Sequence, residues 1–292
     1  MLLTQSLVNG ILLGGLYACI AVGFSLIWGV MNLINLAHGS FVLLGAYVTA
    51  TINQTLGLDP FLTIPISGGV LFGIGYVIQR GLINLVIARS VFSTLVFTFG
   101  LNMLLVNLLL VAFTADLRGI IVPYAGIVWQ VGTVRIPLTR VAVFASAVVL
   151  TALLASFTNR TRLGAAIKAT SFDVDAARLV GIDVDHIYAV TFAVGAAMAG
   201  AAGSLIAVNL VFSPVLGDYY TMKAFVVVVL GGLGSIPGAL VGGLVLGITD
   251  NLASVVLDPG YRDAVSFALL LLVLVLSPRG LFGKPFYAEI KA

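Results

Sequence analysis

The stretch GGLYACIAVGFSLIWGVMNLINLAHGSFVLLGAYV, Gly14 to Val48, decides the fold. It holds no Asp, Glu, Lys or Arg, and the first such residue in the chain is Asp59. Its apolar part is too long for a strand, and about 20 such residues carry a helix across the hydrocarbon core. The alternating segments of roughly ten residues that a transmembrane barrel needs are absent. The rest of the chain has the same texture. Of 292 residues 61% are hydrophobic and 9% are charged, with a mean hydropathy of +1.19. Soluble domains carry about 25% charged residues. Length alone suggests one or two soluble domains; composition overrides it. The expected fold is all-α, a polytopic integral membrane helical bundle of about 8–10 transmembrane helices.

Working outward, the candidate spans are 5–30, 34–52, 61–80, 91–113, 137–157, 187–209, 223–236, 237–254 and 262–277. Lys and Arg favour cytoplasmic loops. With the 158–186 loop inside, Arg80, Arg89, Arg160, Arg162, Lys168, Arg178, Arg279, Lys284 and Lys291 lie inside. Arg118, Arg135, Arg140, Lys223 and Arg262 then lie outside, nine against five. This bias predicts nine crossings, with the N-terminus out and the C-terminus in; a re-entrant 223–236 would instead put the C-terminal tail outside with its three cations. The 114–136 connection reads as a long outward loop, and Trp28 and Trp129 suit the membrane interfaces. The opening MLLTQSLVNG lacks a basic segment and a cleavage site, so it reads as part of the first span. Cys19 stands alone and forms no intrachain disulfide. The net charge of +3 is scattered, with no basic patch interleaved with aromatics, which argues against nucleic acid as a partner. Small residues recur at four-residue spacing: Gly10 and Gly14, Gly69 and Gly73, Gly195, Ala199 and Gly203, Gly238 and Gly242. In lipid such residues let helix backbones approach closely.

One segment does not belong in lipid. NRTRLGAAIKATSFDVDAARLVGIDVD, Asn159 to Asp185, holds eight of the 25 charged residues, four of each sign. Asp173 is placed to cap a short helix beginning near Val174, and Asp175 falls in its first turn, where a negative charge suits the helix dipole. Gly181 stands where a left-handed cap is expected. A preceding turn spans Leu163 to Ala169. Two short amphipathic helices at the cytoplasmic face result. A lipid-bound helix is cationic, whereas balanced charge suits docking into a groove on a protein partner.

The pattern Gly164-x-x-x-Lys168-Ala169, then Asp175-x-Ala177-Arg178-Leu179-x-Gly181-Ile182, resembles the coupling loop of ABC importer permeases, in particular the branched-chain amino acid (LivH-type) family. TFAVGAAMAGAAGSL (Thr191 to Leu205), AFVVVVLGGLGSIPGALVGGLVLG (Ala224 to Gly247) and the opening stretch quoted above are similar to that family's hallmark segments. The resemblance runs in order over nearly the whole chain. It departs at Lys168, often arginine in the family, and at Leu36, often phenylalanine; lysine keeps the charge but loses the bidentate fork. The resemblance implies a single permease domain over 1–292 in a bacterial cytoplasmic (inner) membrane, with its coupling loop at about 158–186. Gly164, Lys168, Ala169, Asp175, Ala177, Arg178 and Gly181 are then the ATPase-coupling residues. It further implies a second homologous permease, two cytoplasmic ATP-binding subunits and an extracytoplasmic substrate-binding protein. Related permeases move amides, urea or sugars. The chain has no G-x-x-x-x-G-K-[ST], and its Gly283-Lys284 is followed by Pro285, so ATP is expected on the partner subunits and no cofactor on this chain.

Asn32, Asn35, His38 and Ser40 interrupt the first apolar stretch. Polar groups at membrane depth face inward, so one reading is a neutral polar seam near the cytoplasmic end of the translocation route. Another is a wet connection between the first two spans. Neutral dipoles let a zwitterion pass without trapping it. Asn102, Gly231, Gly234 and Ser235 complete the expected pathway set. LGGLGSIPGALVGG, Leu230 to Gly243, has no lysine and no preceding strand and reads as a tight membrane turn rather than a phosphate loop. Asp250 is the acid placed nearest hydrocarbon. A secondary transporter would use intramembrane carboxylates and inverted repeats. A metal-dependent enzyme would need a ligand pair such as H-E-x-x-H; the two histidines, His38 and His186, lie far apart.

Overall fold

The structure is a computed structural model that describes residues 2–87, 91–277 and 279–282. Arg89, Lys284 and Lys291 of the charge reckoning, and the Gly283-Lys284-Pro285 sequence, lie outside the described residues.

Each of the nine predicted spans is helical. The helices are α1 (Leu2–Met31), α2 (His38–Leu56), α3 (Ile64–Ile78), which continues through a π turn at Gln79–Ile83 into α4 (Asn84–Ile87), α5 (Val91–Phe113), α6 (Leu138–Arg160), α7 (Arg162–Phe172), α8 (Val174–Leu179), α9 (Val184–Asn209), α10 (Gly217–Gly231), α11 (Ile236–Val256) and α12 (Arg262–Leu276). Among the described residues seven helical stretches are long and apolar enough to cross a membrane. The two predicted spans missing from that set are α2, whose last turns carry Thr51, Asn53, Gln54 and Thr55, and α12, with 15 residues. The outward loop is not wholly irregular: β1 (Val128–Val131) and β2 (Val134–Pro137) form an antiparallel hairpin, pairing Trp129 with Ile136.

Side-chain contacts define the two ends of the bundle. At one end the hairpin loop ties down α1 and the turn between α2 and α3, through Gln5 Nε2 to the Arg135 carbonyl at 2.8 Å and Tyr124 Oη to Asp59 Oδ2 at 2.7 Å. Burial and the Asp59 carboxylate both push the Tyr124 phenol up from its ordinary range. At the other end, α6 runs through Thr161 into α7 and α8, and Tyr76 meets His186 at 3.2 Å. The 114–136 and 158–186 loops therefore lie at opposite ends.

Glycine decides the core contacts. Helices α1 and α9 are almost wholly buried. A Cβ on Gly10 or Gly14 would stand 2.7 Å from the backbone of Ile248 or Leu244 in α11. One on Gly45 would stand 2.4 Å from Gly200, joining α2 to α9. The Gly69–Gly73 pair departs from this pattern: both face open space, and neither meets another helix of this chain.

The 30 residues of α1 give a ruler about 45 Å long. Along it, Tyr17 Oη lies 3.3 Å from Tyr219 Oη, the Phe24 and Phe225 ring centroids lie 6.4 Å apart, and Gly29 touches Gly234. Helix α10 thus starts halfway along α1 and runs parallel to it toward the α7–α8 end. The 223–236 span is corrected by this: the helix begins six residues earlier, at Gly217, and stops at Gly231. Lys223, assigned to an outer loop, is buried inside it at 4% exposure. Without it the full-sequence charge bias becomes nine against four (5 − 1 = 4).

Candidate functional site

Helix α1 ends at Met31, and Asn32 takes a left-handed φ of 50°. The chain then turns back into the bundle. His38 Nε2 lies 2.9 Å from the carbonyl of Ile20, nearly two-thirds of the way along α1. A carbonyl only accepts, so Nε2 carries the proton; buried Nδ1 has no protein partner. Residues 32–37 are consequently a non-helical segment at membrane depth, tolerated because its backbone is satisfied by neighbouring side chains. Thr98 Oγ1 accepts from the Leu36 amide at 3.3 Å and donates to the Ile34 carbonyl at 3.0 Å. Thr221 Oγ1 donates to the Leu36 carbonyl at 3.2 Å and accepts from the Gly39 amide at 2.8 Å. Asn35 Oδ1 accepts from Ala37 at 3.1 Å. Asn32, Asn35 and His38 do not share one environment: Asn32 is exposed, while Asn35 and His38 are at most 1% exposed.

Helix α2 therefore begins at mid-depth, where α10 also begins. Their first turns touch: a Cβ on Gly39 would stand 1.9 Å from the Gly217 carbonyl oxygen. Beside this junction Ser40 Oγ donates to Asn102 Oδ1 at 2.5 Å, and Asn102 Nδ2 donates to Asp218 Oδ1 at 2.9 Å. Asn102 is the middle residue of α5, which puts the chain Ser40–Asn102–Asp218 at the centre of the bundle's depth. Asp218 brings a fixed charge to a seam expected to be neutral.

The remaining pathway candidates lie elsewhere. Asn32, Gly234 and Ser235, together with Lys168 of the expected coupling loop, line an open cavity of about 850 Å³ at the α7–α8 end. Ser235 caps α11 by accepting from the Gly238 amide at 3.1 Å, and the turn before it uses left-handed glycine at Gly234, φ 78°. Gly231 is not in the cavity lining; its Cα lies against Gly238, where a Cβ would meet the carbonyl oxygen at 2.1 Å. The expected set is thus split between two levels about 14 Å apart, the Ile20-to-Gly29 rise on α1.

In the charged loop the predicted turn at Leu163–Ala169 is a full helix, α7. Asp173 Oδ1 accepts from the Asp175 and Ala176 amides, both at 2.9 Å, as expected of a cap. Gly181 has φ +84°; the Ile182 amide reaches the Ala177 carbonyl at 3.0 Å, closing a Schellman-type stop. Ala177 and Gly164 face inward, and a Cβ on Gly164 would meet the Phe157 and Thr158 carbonyls at 2.5 Å. Lys168 Nζ holds Asn159 Oδ1 at 2.5 Å, and Ala169 accepts from the Asp173 amide at 3.2 Å. Asp175 and Arg178 lie 3.7 Å apart with both side chains exposed, a pair of little stabilising value. Leu179 and Val180 are 88% and 76% exposed.

Asp250 does have a partner in the bundle. Its Oδ2 accepts from Lys223 Nζ at 2.8 Å and from Tyr17 Oη at 3.2 Å, and its Oδ1 accepts from Ser266 at 2.5 Å. Asp263 adds a second carboxylate to Lys223 at 3.1 Å. These residues join α1, α10, α11 and α12.

With that geometry in place, residues 6–274 match the protein family described as branched-chain amino acid transport system, permease component. The high-affinity branched-chain amino acid transport system permease protein LivH of Escherichia coli (strain K12) is 36% identical over 297 residues, with 96% of each chain covered. The chain belongs to this family. The corresponding permease protein BraD of Pseudomonas aeruginosa is 32% identical, again with 96% of each chain covered. PsaBC from Streptococcus pneumoniae in complex with Fab is similar in fold, at a TM-score of 0.50 and 12% identity over 94% of this chain and 93% of that one. This permease is thus a multi-pass membrane protein. Two of its polar centres escaped sequence reasoning. Asp218 was hidden because it falls between the candidate spans 187–209 and 223–236. Lys223 was hidden because its counter-charge lies 27 residues away. The readable signal was the acid-plus-base pair flanking a glycine-rich apolar run.

Proposed function

We propose that this permease is the membrane-spanning subunit of an ATP-driven importer that carries branched-chain amino acids into a bacterial cell across the cytoplasmic membrane. In this reading a second, homologous permease completes the pathway. Two cytoplasmic ATP-binding subunits supply the work, and an extracytoplasmic binding protein delivers substrate at the hairpin end. The observation that carries it is the α7–α8 loop. It presents exposed Leu179 and Val180 at its tip, stiffened by the Asp173 cap and the Gly181 stop. Its base is seated on α6 through Gly164, and α7 walls the cavity whose other sides are the end of α1 and the α10–α11 turn. A partner that pushes on the loop moves those elements as bodies, the kind of two-state shift that interfaces support. Lys168, at the cavity wall, would feel that movement first.

Paired replacement Arg178→Glu with Gly181→Val tests this. Valine at a left-handed φ strains the stop, and glutamate reverses the tip charge. Membrane abundance should stay near wild type, while ATP-dependent leucine uptake into vesicles falls about tenfold or more. Uptake at the wild-type rate would reject the docking role.

A further inference from the structure

Asp218 is the least explained charge in the bundle. It stands in the first turn of α10 at mid-depth, and it is solvent-exposed in the isolated chain. Its single hydrogen-bond partner among the described residues is Asn102, and no cation lies within ion-pairing distance there. A carboxylate at a helix start gains only a modest stabilisation from the dipole. A charge at the bilayer centre that faces lipid costs several times more than that. The dipole therefore does not account for it, and the face bearing Asp218 must open onto water or a polar surface. By contrast Asp250, at the same end of the chain, is buried and fully paired. Met222, four residues after Asp218, is exposed on the same face of α10 at 45%, and Val215, in the 3-10 turn Pro214–Leu216 just before the helix, is exposed at 57%. Asn102, 5% exposed and fixed by Ser40, aims the carboxylate.

We propose that Asp218 is the point in the permeation pathway that receives the ammonium group of the amino acid, with Asn102 and Ser40 as its positioning residues and Val215 and Met222 as the apolar flank for the side chain. The inference rests on the importer reading above. It adds a residue that distinguishes a zwitterion or amine from a neutral sugar or amide at mid-depth. Asp218 Oδ2 is free to accept an ammonium N–H while Oδ1 stays with Asn102. The exchange is reversible because the carboxylate is open on one side rather than enclosed.

The test uses the complete transporter, with its binding protein, in proteoliposomes and radiolabelled leucine. D218N preserves shape and the bond from Asn102 but removes the charge; the maximal uptake rate should fall about tenfold or more, whereas D218E stays within about threefold of wild type. D218C, assembled and checked by co-purification, should regain uptake after treatment with a carboxylate-bearing methanethiosulfonate and not after an ammonium-bearing one. Wild-type uptake by D218N, or equal rescue by both reagents, overturns the assignment. A wild-type complex that moves no amino acid at all refutes the importer reading itself, so the two failures are told apart.

Discussion

At Gly39 the two half-depth helices leave no room for a side chain. The atom a Cβ would strike is the backbone oxygen of Gly217, which cannot rotate away. Gly39→Ala should therefore pry α2 from α10 and destabilise the protein by about 1–3 kcal/mol, read as a lower unfolding temperature of the purified protein in detergent. Gly69→Ala, whose Cβ meets nothing, is the control and should be neutral or slightly stabilising, since alanine is favoured over glycine in a helix. The ion pair allows a second contrast. Lys223→Met strands the Asp250 carboxylate at 1% exposure and should cost about 3–5 kcal/mol. The double variant Lys223→Met with Asp250→Leu removes the stranded charge and should recover much of that loss. A double-mutant cycle on thermal stability reads the coupling; additive effects would mean that the two side chains do not share one interaction.

Helix α8 has six residues, far fewer than the roughly 12–15 an isolated helix needs to be even marginal. Its existence depends on its ends. Asp173→Ala deletes the acceptor of two first-turn amides and should cost about 1 kcal/mol locally. Hydrogen exchange should then quicken at residues 174–179 while α6 and α9 keep their protection. Such ends are legible in sequence because they are local chemistry: Asp173, Gly181 and Ser235 each announced a cap or a turn, and each serves as one. The depth of α2 and α10 was not legible. Both begin midway because segments 32–37 and 210–216 fold back into the bundle, and the groups that permit this, Thr98 and Thr221, sit about 60 and 185 residues away in sequence from Leu36. Nor could the Ser40–Asn102–Asp218 chain be read, since its members come from three helices. Sequence periodicity reports which residues are apolar, not how far into the membrane a helix starts.

For the molecule as a whole, the position of function depends on which end faces the cell interior. The hairpin end carries Trp129, 53% exposed, together with Arg118, Arg135 and Arg140; the α7–α8 end carries Arg160, Arg162, Lys168, Arg178 and Arg279. In the importer proposed above, the bias of Lys and Arg toward cytoplasmic loops puts the second end inside. Both ends carry exposed apolar residues, Ile121 and Trp129 at one and Leu179 and Val180 at the other, so either could receive a protein partner, but only a partner inside the cell has access to ATP. Native Cys19 is buried, so single introduced cysteines report cleanly. In spheroplasts, Trp129→Cys should react with a membrane-impermeant maleimide, whereas Leu179→Cys should react only after the membrane is opened. The reverse pattern would put the charged loop outside and leave the bundle without a place for an ATPase to act. Equal reaction at both sites in sealed spheroplasts would mean that the two loops share a face, which the lengths of α6 and α9 between them forbid: 23 and 26 residues of helix span about 35 and 39 Å, more than the hydrocarbon core.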